Sequence, residues 1–302
     1  MSTQPKKSKW SSESLFKDLR MDSKAAAVEF IGTTYFLVLG LGGIQAATGE
    51  AFASGSVIEH VLYISTCMGL SLLVSAWLFY RVTGGLFNPN ISLALVLVGV
   101  IGPVRFVLFC IAQLLGGIAA AALVFALTPG PLASNTFLQT GINSAQGVFI
   151  EMFITSALVL SVLMLAAEKH TATPFAPVGI GLTLFACHLW AVFYTGAGMN
   201  TARSFGPAVI SGFGYPQHWV YWVGPFLGSL LGSAFYTILK VINYRELNPA
   251  QASVRPEDSP PVPIAVEDDD VQAKEVKATT KSPKDHQGNA GAEGQGKPGI
   301  AV

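Results

Sequence analysis

The chain predicts an all-α membrane protein: six transmembrane helices and two re-entrant half-helices, arranged as an inverted three-helix repeat. Three observations carry this reading. Six segments are each apolar enough over roughly 20 residues to span a bilayer. Two other apolar pieces, 88–98 and 200–211, are too short to cross. Each of the two follows a Thr-Gly-x-x-x-Asn stretch, Thr83 to Asn88 and Thr195 to Asn200, and a shift of 112 residues superposes one stretch on the other.

Only 12% of the 302 residues are charged and 51% are hydrophobic, whereas soluble domains carry about 25% charge. The zero net charge averages a basic opening (Lys6, Lys7, Lys9, Lys17, Arg20, Lys24) with an acidic tail (Glu257, Asp258 and Glu267 to Asp270). The opening has neither the short apolar core nor the small-residue cleavage site of a signal peptide, so the first crossing reads as an uncleaved anchor. Cys67, Cys110 and Cys187 lie in apolar runs without paired or metal-ligand spacing and read as buried free thiols.

The crossings fall at 25–41, 58–80, 103–127, 147–167, 176–194 and 218–242. The connections 42–56, 128–146 and 211–217 contain no Lys or Arg, while Arg81, Arg105, Lys169, Lys240 and Arg245 fall on the side of the N-terminus. Positive residues stay inside, which predicts two cytoplasmic termini. From 246 onward the chain turns to Pro, Ala, Gly, Lys and Asp and cannot bury enough apolar surface to fold. The predicted layout is a basic N-terminus (1–24), a membrane domain (25–245, repeats about 25–128 and 147–242) and a disordered cytoplasmic tail (246–302). Ser259 and Ser282 each precede a proline and offer phosphorylation sites, although an inert tail explains them better.

The repeat extends beyond the two polar stretches. The shift of 112 also pairs Gln113 with Pro225 and Gly116 with Gly228, and a slightly larger shift pairs Glu29 with Glu151. Three crossings per half is an odd number, so the halves have opposite orientation. Such repeats place a site near the midplane with half-helix N-termini pointing into it, and irregular backbone at that depth is tolerated only where it is buried or lines a wet cavity.

Asparagine is a favoured N-cap and proline a favoured first helical residue, so Asn88-Pro89 and Asn200-Thr201 start the two half-helices. With each carbonyl oxygen capping, the amide N–H groups are expected to face the lumen as donors. Gly84, Gly85, Gly196 and Gly198 free the preceding backbone to present carbonyls. Each half-helix directs roughly half a positive charge at the centre, and Arg203 adds a permanent cation. Such an arrangement repels cations and protons while passing neutral hydrogen-bonding molecules. Taken singly, either asparagine reads as interhelical glue and His188 equally as a packing residue or a pore residue, while Arg203, whose bland alternative is a snorkelling side chain, reads as functional because it lies in a re-entrant stretch. Repetition of the whole pattern favours a pore. Glu29 and Glu151 read as braces accepting from loop N–H groups, with proton carriage as the alternative. The formal glycosylation triplet Asn90-Ile91-Ser92 lies at membrane depth and is rejected.

With these residues in hand, the sequence resembles an aquaporin, a member of the major intrinsic protein family, over roughly 25–242. The resemblance rests on the paired Asn-centred half-helices, Ala202-Arg203-Ser204-Phe205-Gly206, the helix glutamates and His188-Leu189-Trp190-Ala191. It implies six tilted helices around one pore per subunit, usually a homotetramer, with no enzymatic activity and no cofactor or metal. It also implies that Asn88 and Asn200, with Pro89 and Thr201, form the pore centre, and that Met68, His188, Ala197 and Arg203 form an outer selectivity filter. Met68 stands where water-selective members usually have phenylalanine, and Ala197 where some carry a mercury-sensitive cysteine. His188 and the Ser204-Phe205 continuation fit the water branch better than the glycerol branch. The usual Asn-Pro-Ala boxes read Asn88-Pro89-Asn90 and Asn200-Thr201-Ala202. Loss of the second proline is expected to weaken packing between the tips, and Asn90 to shift the narrowest point.

The first functional expectation is a passive water channel that excludes ions and protons, with water and the lipid bilayer as its partners and no nucleic acid. A second passes hydrogen peroxide or another small neutral solute such as glycerol. A third is a non-conducting membrane scaffold. A fourth, an ion-coupled transporter, needs an intramembrane carboxylate at the substrate site, for which only Glu29 and Glu151 are available. Plasma membrane is the default location.

Overall fold

The computed structural model describes residues 16–49, 57–251, 253–255 and 257. The first fifteen residues, part of the first outer connection, and the tail beyond 257 with Ser259 and Ser282 lie outside the described residues. Two compact units are resolved by their contacts, up to Ala252 and from Ser253. In the second, the Arg255 N–H donates to Ser253 Oγ at 3.2 Å and the Arg255 guanidinium lies 4.0 Å from Glu257.

The first unit is all helical among the described residues. Its elements are α1 (Leu19–Ala47), α2 (Val57–Phe79), the short α3 (Pro89–Leu97), α4 (Pro103–Leu127), α5 (Ser144–Val162), α6 (Ala176–Thr195), the short α7 (Thr201–Ser211) and α8 (Val220–Val241). Among the described residues, six stretches are long and apolar enough to cross a membrane. Local chemistry sets many of their ends. Pro103 opens α4 after an extended Gly102, and Asn143 and Gln146 close a reciprocal capping box on α5. Helices α6 and α7 stop at Gly196 and Gly212, both left-handed. At its C-terminal end α5 loosens into a π turn, Leu163–Ala167.

The first helix is longer than its apolar run of 25–41. Polar anchors extend it at both ends. Near its start Asp22 pairs with Arg105 at 2.7 Å. Toward its other end Gln45 donates to the Pro131 carbonyl and accepts from the Ala133 N–H.

Helix α1 packs along α4, α5 along α8, and α2 along α6 where the halves meet. The half-helices cross over: α3 rests on α8 as well as on α4, and α7 on α4, each reaching the last crossing of the opposite repeat. Close approach makes the contact of α7 with α4 possible. A Cβ on Gly206 would lie 2.2 Å from the Gly117 carbonyl oxygen, and one on Gly117 would lie 2.3 Å from that of Ala202.

Candidate pore and half-helix junction

The two half-helix tips meet in the interior. Asn88 caps α3, its Oδ1 accepting from the Asn90 N–H at 2.9 Å. Asn200 caps α7, accepting from the Ala202 and Arg203 N–H groups at 2.9 and 3.3 Å. Their amides cross the junction: Asn88 Nδ2 donates to the Met199 carbonyl at 2.9 Å, and Asn200 Nδ2 to the Phe87 carbonyl at 2.8 Å. Each Nδ2 carries two hydrogens. One per asparagine is therefore spent on the opposite loop, which corrects the expectation that both face the lumen.

The accepting residues, Phe87 and Met199, have φ of 49° and 54°. A bulky side chain in the left-handed region is strained, and here it turns the carbonyl toward the partner asparagine. Two carboxylates hold these loops in place. Glu29 accepts from Thr83 Oγ1 at 2.6 Å, from the Leu86 and Phe87 N–H groups at 3.2 and 2.8 Å, and from Gln113 Nε2 at 2.9 Å. Glu151 does the same in the other half, accepting from Thr195 Oγ1 at 2.6 Å and from the Gly198 and Met199 N–H groups at 2.9 and 2.8 Å.

A cavity of about 310 Å³ runs to this junction, lined among others by Tyr80, Thr83, Lys169, Met68, Asn88 and Asn200. Pro89 and Thr201, expected at the pore centre, do not line it. They stand behind the tips with Asn90, on a separate groove between α4 and α8 that also exposes Cys110 and Trp222. Asn90 therefore does not reshape the cavity wall. Its Oδ1 accepts the Thr201 N–H and the Thr201 hydroxyl, both at 3.0 Å, so the tips are bonded where only weakened packing was expected.

His188, Ala197 and Arg203, expected in the filter, do not line this cavity and are buried to 0%, 0% and 2% exposure. Arg203 Nη1 donates to the Ser134 carbonyl at 2.8 Å. His188 Nδ1 lies 2.9 Å from the Leu184 carbonyl. A carbonyl only accepts, so Nδ1 carries a proton, and in the neutral tautomer with that proton Nε2 is an acceptor. His188 Nε2 and Arg203 Nε are buried and find no partner among the described residues.

Comparison with known proteins fits this geometry. The major intrinsic protein family matches residues 17–236. The chain belongs to that family. Aquaporins of Laccaria bicolor are similar to it: one is 71% identical over 257 residues, spanning 84% of this chain and 83% of that one. Another from the same organism, Aquaporin-1, is 70% identical over the same length and shares. In fold the chain is similar to the aquaglyceroporin from Plasmodium falciparum, with a TM-score of 0.63 at 18% identity over 74% of this chain and 99% of that one. As a major intrinsic protein, the chain is an integral multi-pass membrane channel for water or small solutes, and it is not an enzyme.

Proposed function

We propose that the chain is a passive water channel that excludes ions and protons. The crossed asparagines carry the reading. With one amide hydrogen of Asn88 and one of Asn200 locked across the junction, the remaining hydrogen of each is available to the cavity both residues line. Two donors held by opposed half-helices fix the orientation of one water at a time. The water accepts from both and cannot relay a proton through that point. The half-helix N-termini add roughly half a positive charge each, and Arg203 adds a full one.

Met68, His188, Ala197 and Arg203 form the filter in this reading. His188 Nε2 and Arg203 Nε, buried and without a partner among the described residues, are the acceptor and the donor that this reading assigns to the filter. One observation favours a second permeant. Met68 lies on the cavity wall, and methionine is an unbranched, adaptable side chain, so this reading admits small neutral solutes such as hydrogen peroxide or glycerol more readily than a rigid aromatic ring would. We further propose that the face carrying Asp22, Arg105, Glu168, Lys240 and Arg245 is cytoplasmic, from the basic residues gathered there, and that four chains assemble as a homotetramer.

Stopped-flow light scattering on liposomes containing the protein tests the reading. Shrinkage well faster than that of empty vesicles is expected, with no accompanying proton flux. Equal rates with the protein demonstrably inserted would refute it. Peroxide and glycerol gradients on the same vesicles rank the permeants.

A further inference from the structure

Under the shift of 112 that relates the halves, Thr201 is the counterpart of Pro89, and Ala202 the counterpart of Asn90. The junction is therefore asymmetric. Pro89 has no N–H and Ala202 no side-chain acceptor, so that pairing requires nothing. Thr201 brings two donors to a site where it is only 3% exposed. Both are taken up by one atom, Asn90 Oδ1, at 3.0 Å each, and the Thr201 hydroxyl also lies 3.2 Å from the Tyr221 carbonyl. Asn90 is itself fixed: its N–H goes to Asn88 Oδ1 at 2.9 Å, and its carbonyl accepts from Ser229 Oγ at 2.8 Å.

We propose that Asn90 and Thr201 form a clasp that sets the separation of the two half-helix tips, and that the two departures from the usual Asn-Pro-Ala boxes are one coupled change. An alanine at 90 alone leaves the buried Thr201 N–H without an acceptor. A proline at 201 alone leaves Asn90 Oδ1 without its donors. Changing both removes need and supply together, because an unmet buried group costs far more than a hydrogen bond replaced on both sides. Asn90 and Thr201 are positioning residues: neither lines the cavity, and each acts through its neighbour in the chain. Asn90 follows Asn88 by two residues and Thr201 follows Asn200 directly. Any spread of the tips therefore separates the two amides.

The test is a double-mutant cycle on the full chain: the unmodified protein, Asn90→Ala, Thr201→Pro and the double variant. Thermal unfolding in detergent and water permeability per inserted chain in liposomes are both measured. Each single variant is expected to lower the folded-to-unfolded ratio roughly tenfold and to reduce permeability, and the double variant to recover most of both. Thr201→Ser keeps both donors and should match the unmodified chain. Strictly additive losses, or a Thr201→Pro chain as stable as the unmodified one, overturn the clasp. A stable double variant that stays as impermeable as the single variants overturns the positioning role. If a single variant does not accumulate, Thr201→Val, which loses only the hydroxyl, is measured with and without Asn90→Ala. A larger loss in the presence of Asn90 supports the clasp, and equal losses overturn it. The permeability readout rests on the channel reading and the unfolding readout does not. If the unmodified protein carries no water, the channel reading falls and the unfolding cycle still decides the clasp.

Discussion

Lys240 Nζ lies 2.7 Å from Glu168 Oε1, tying the end of α8 to the turn that follows α5. Tyr236, Tyr244 and Arg245 donate to the same carboxylate at 2.6, 3.1 and 2.7 Å. Burial works against ionisation of Glu168, yet hydrogen bonds from Lys240, Tyr236, Arg245 and Tyr244 outweigh it and hold the carboxyl at about 2, against an ordinary 4.5. The folded state thus favours the charged form. Its contribution to stability is complete above the ordinary value and fades as pH falls from about 4.5 through about 2. Glu168→Gln should lower the unfolding midpoint at neutral pH, and the gap from the unmodified protein should close across that window. A gap that is constant from pH 7 to pH 2 would show that the charge is not what matters.

Glu151→Ala should damage the second loop severely. Three donors, Thr195 Oγ1 and the N–H groups of Gly198 and Met199, lose their acceptor, and each unmet buried group costs roughly 1–3 kcal/mol. Glu151→Gln keeps an acceptor oxygen and should lose much less. Unfolding midpoints of the two variants, with the equivalent pair at Glu29, check the ordering.

Arg203→Ala removes a cation and a fixed donor from the proposed filter. Proton leak, read with a pH-sensitive dye inside the vesicles, should rise, and larger neutral solutes should enter. His188→Gly should raise glycerol flux in the same vesicles. Unchanged selectivity in either variant would take that residue out of the filter.

Gly206→Ala should displace α7. Its added Cβ meets the Gly117 carbonyl, and overpacking of a tight contact costs roughly 1–3 kcal/mol. Lower water permeability together with a lower unfolding midpoint is expected. An alanine variant that matches the unmodified chain in both would mean that α4 yields at little cost.

The six crossings were legible because spanning a bilayer demands length and hydrophobicity, and both are local properties. Asn88 and Asn200 were legible through repetition, since one polar motif written twice implies two related structures. The ends of α1 were not: Asp22 and Gln45 extend it through partners more than 80 residues away in sequence. The turns at Phe87 and Met199 were hidden for another reason. Neither residue type favours a left-handed backbone, and the glutamates that enforce it act across 58 and 48 residues. The bond between Asn90 and Thr201 escaped because the repeat aligns each residue with its counterpart in the other half and says nothing of which residues touch.

The crossed seating of the half-helices also bears on how the chain is made. Helix α3 emerges early in synthesis, yet the Ser229 hydroxyl that holds the Asn90 carbonyl lies 139 residues further on. Contacts of such sequence separation form late. Until α8 has entered the bilayer, the first half-helix has α4 to pack on but lacks its second support, and neither half of the chain alone carries both Asn88 and Asn200. Two halves supplied as separate pieces are expected to conduct only when combined.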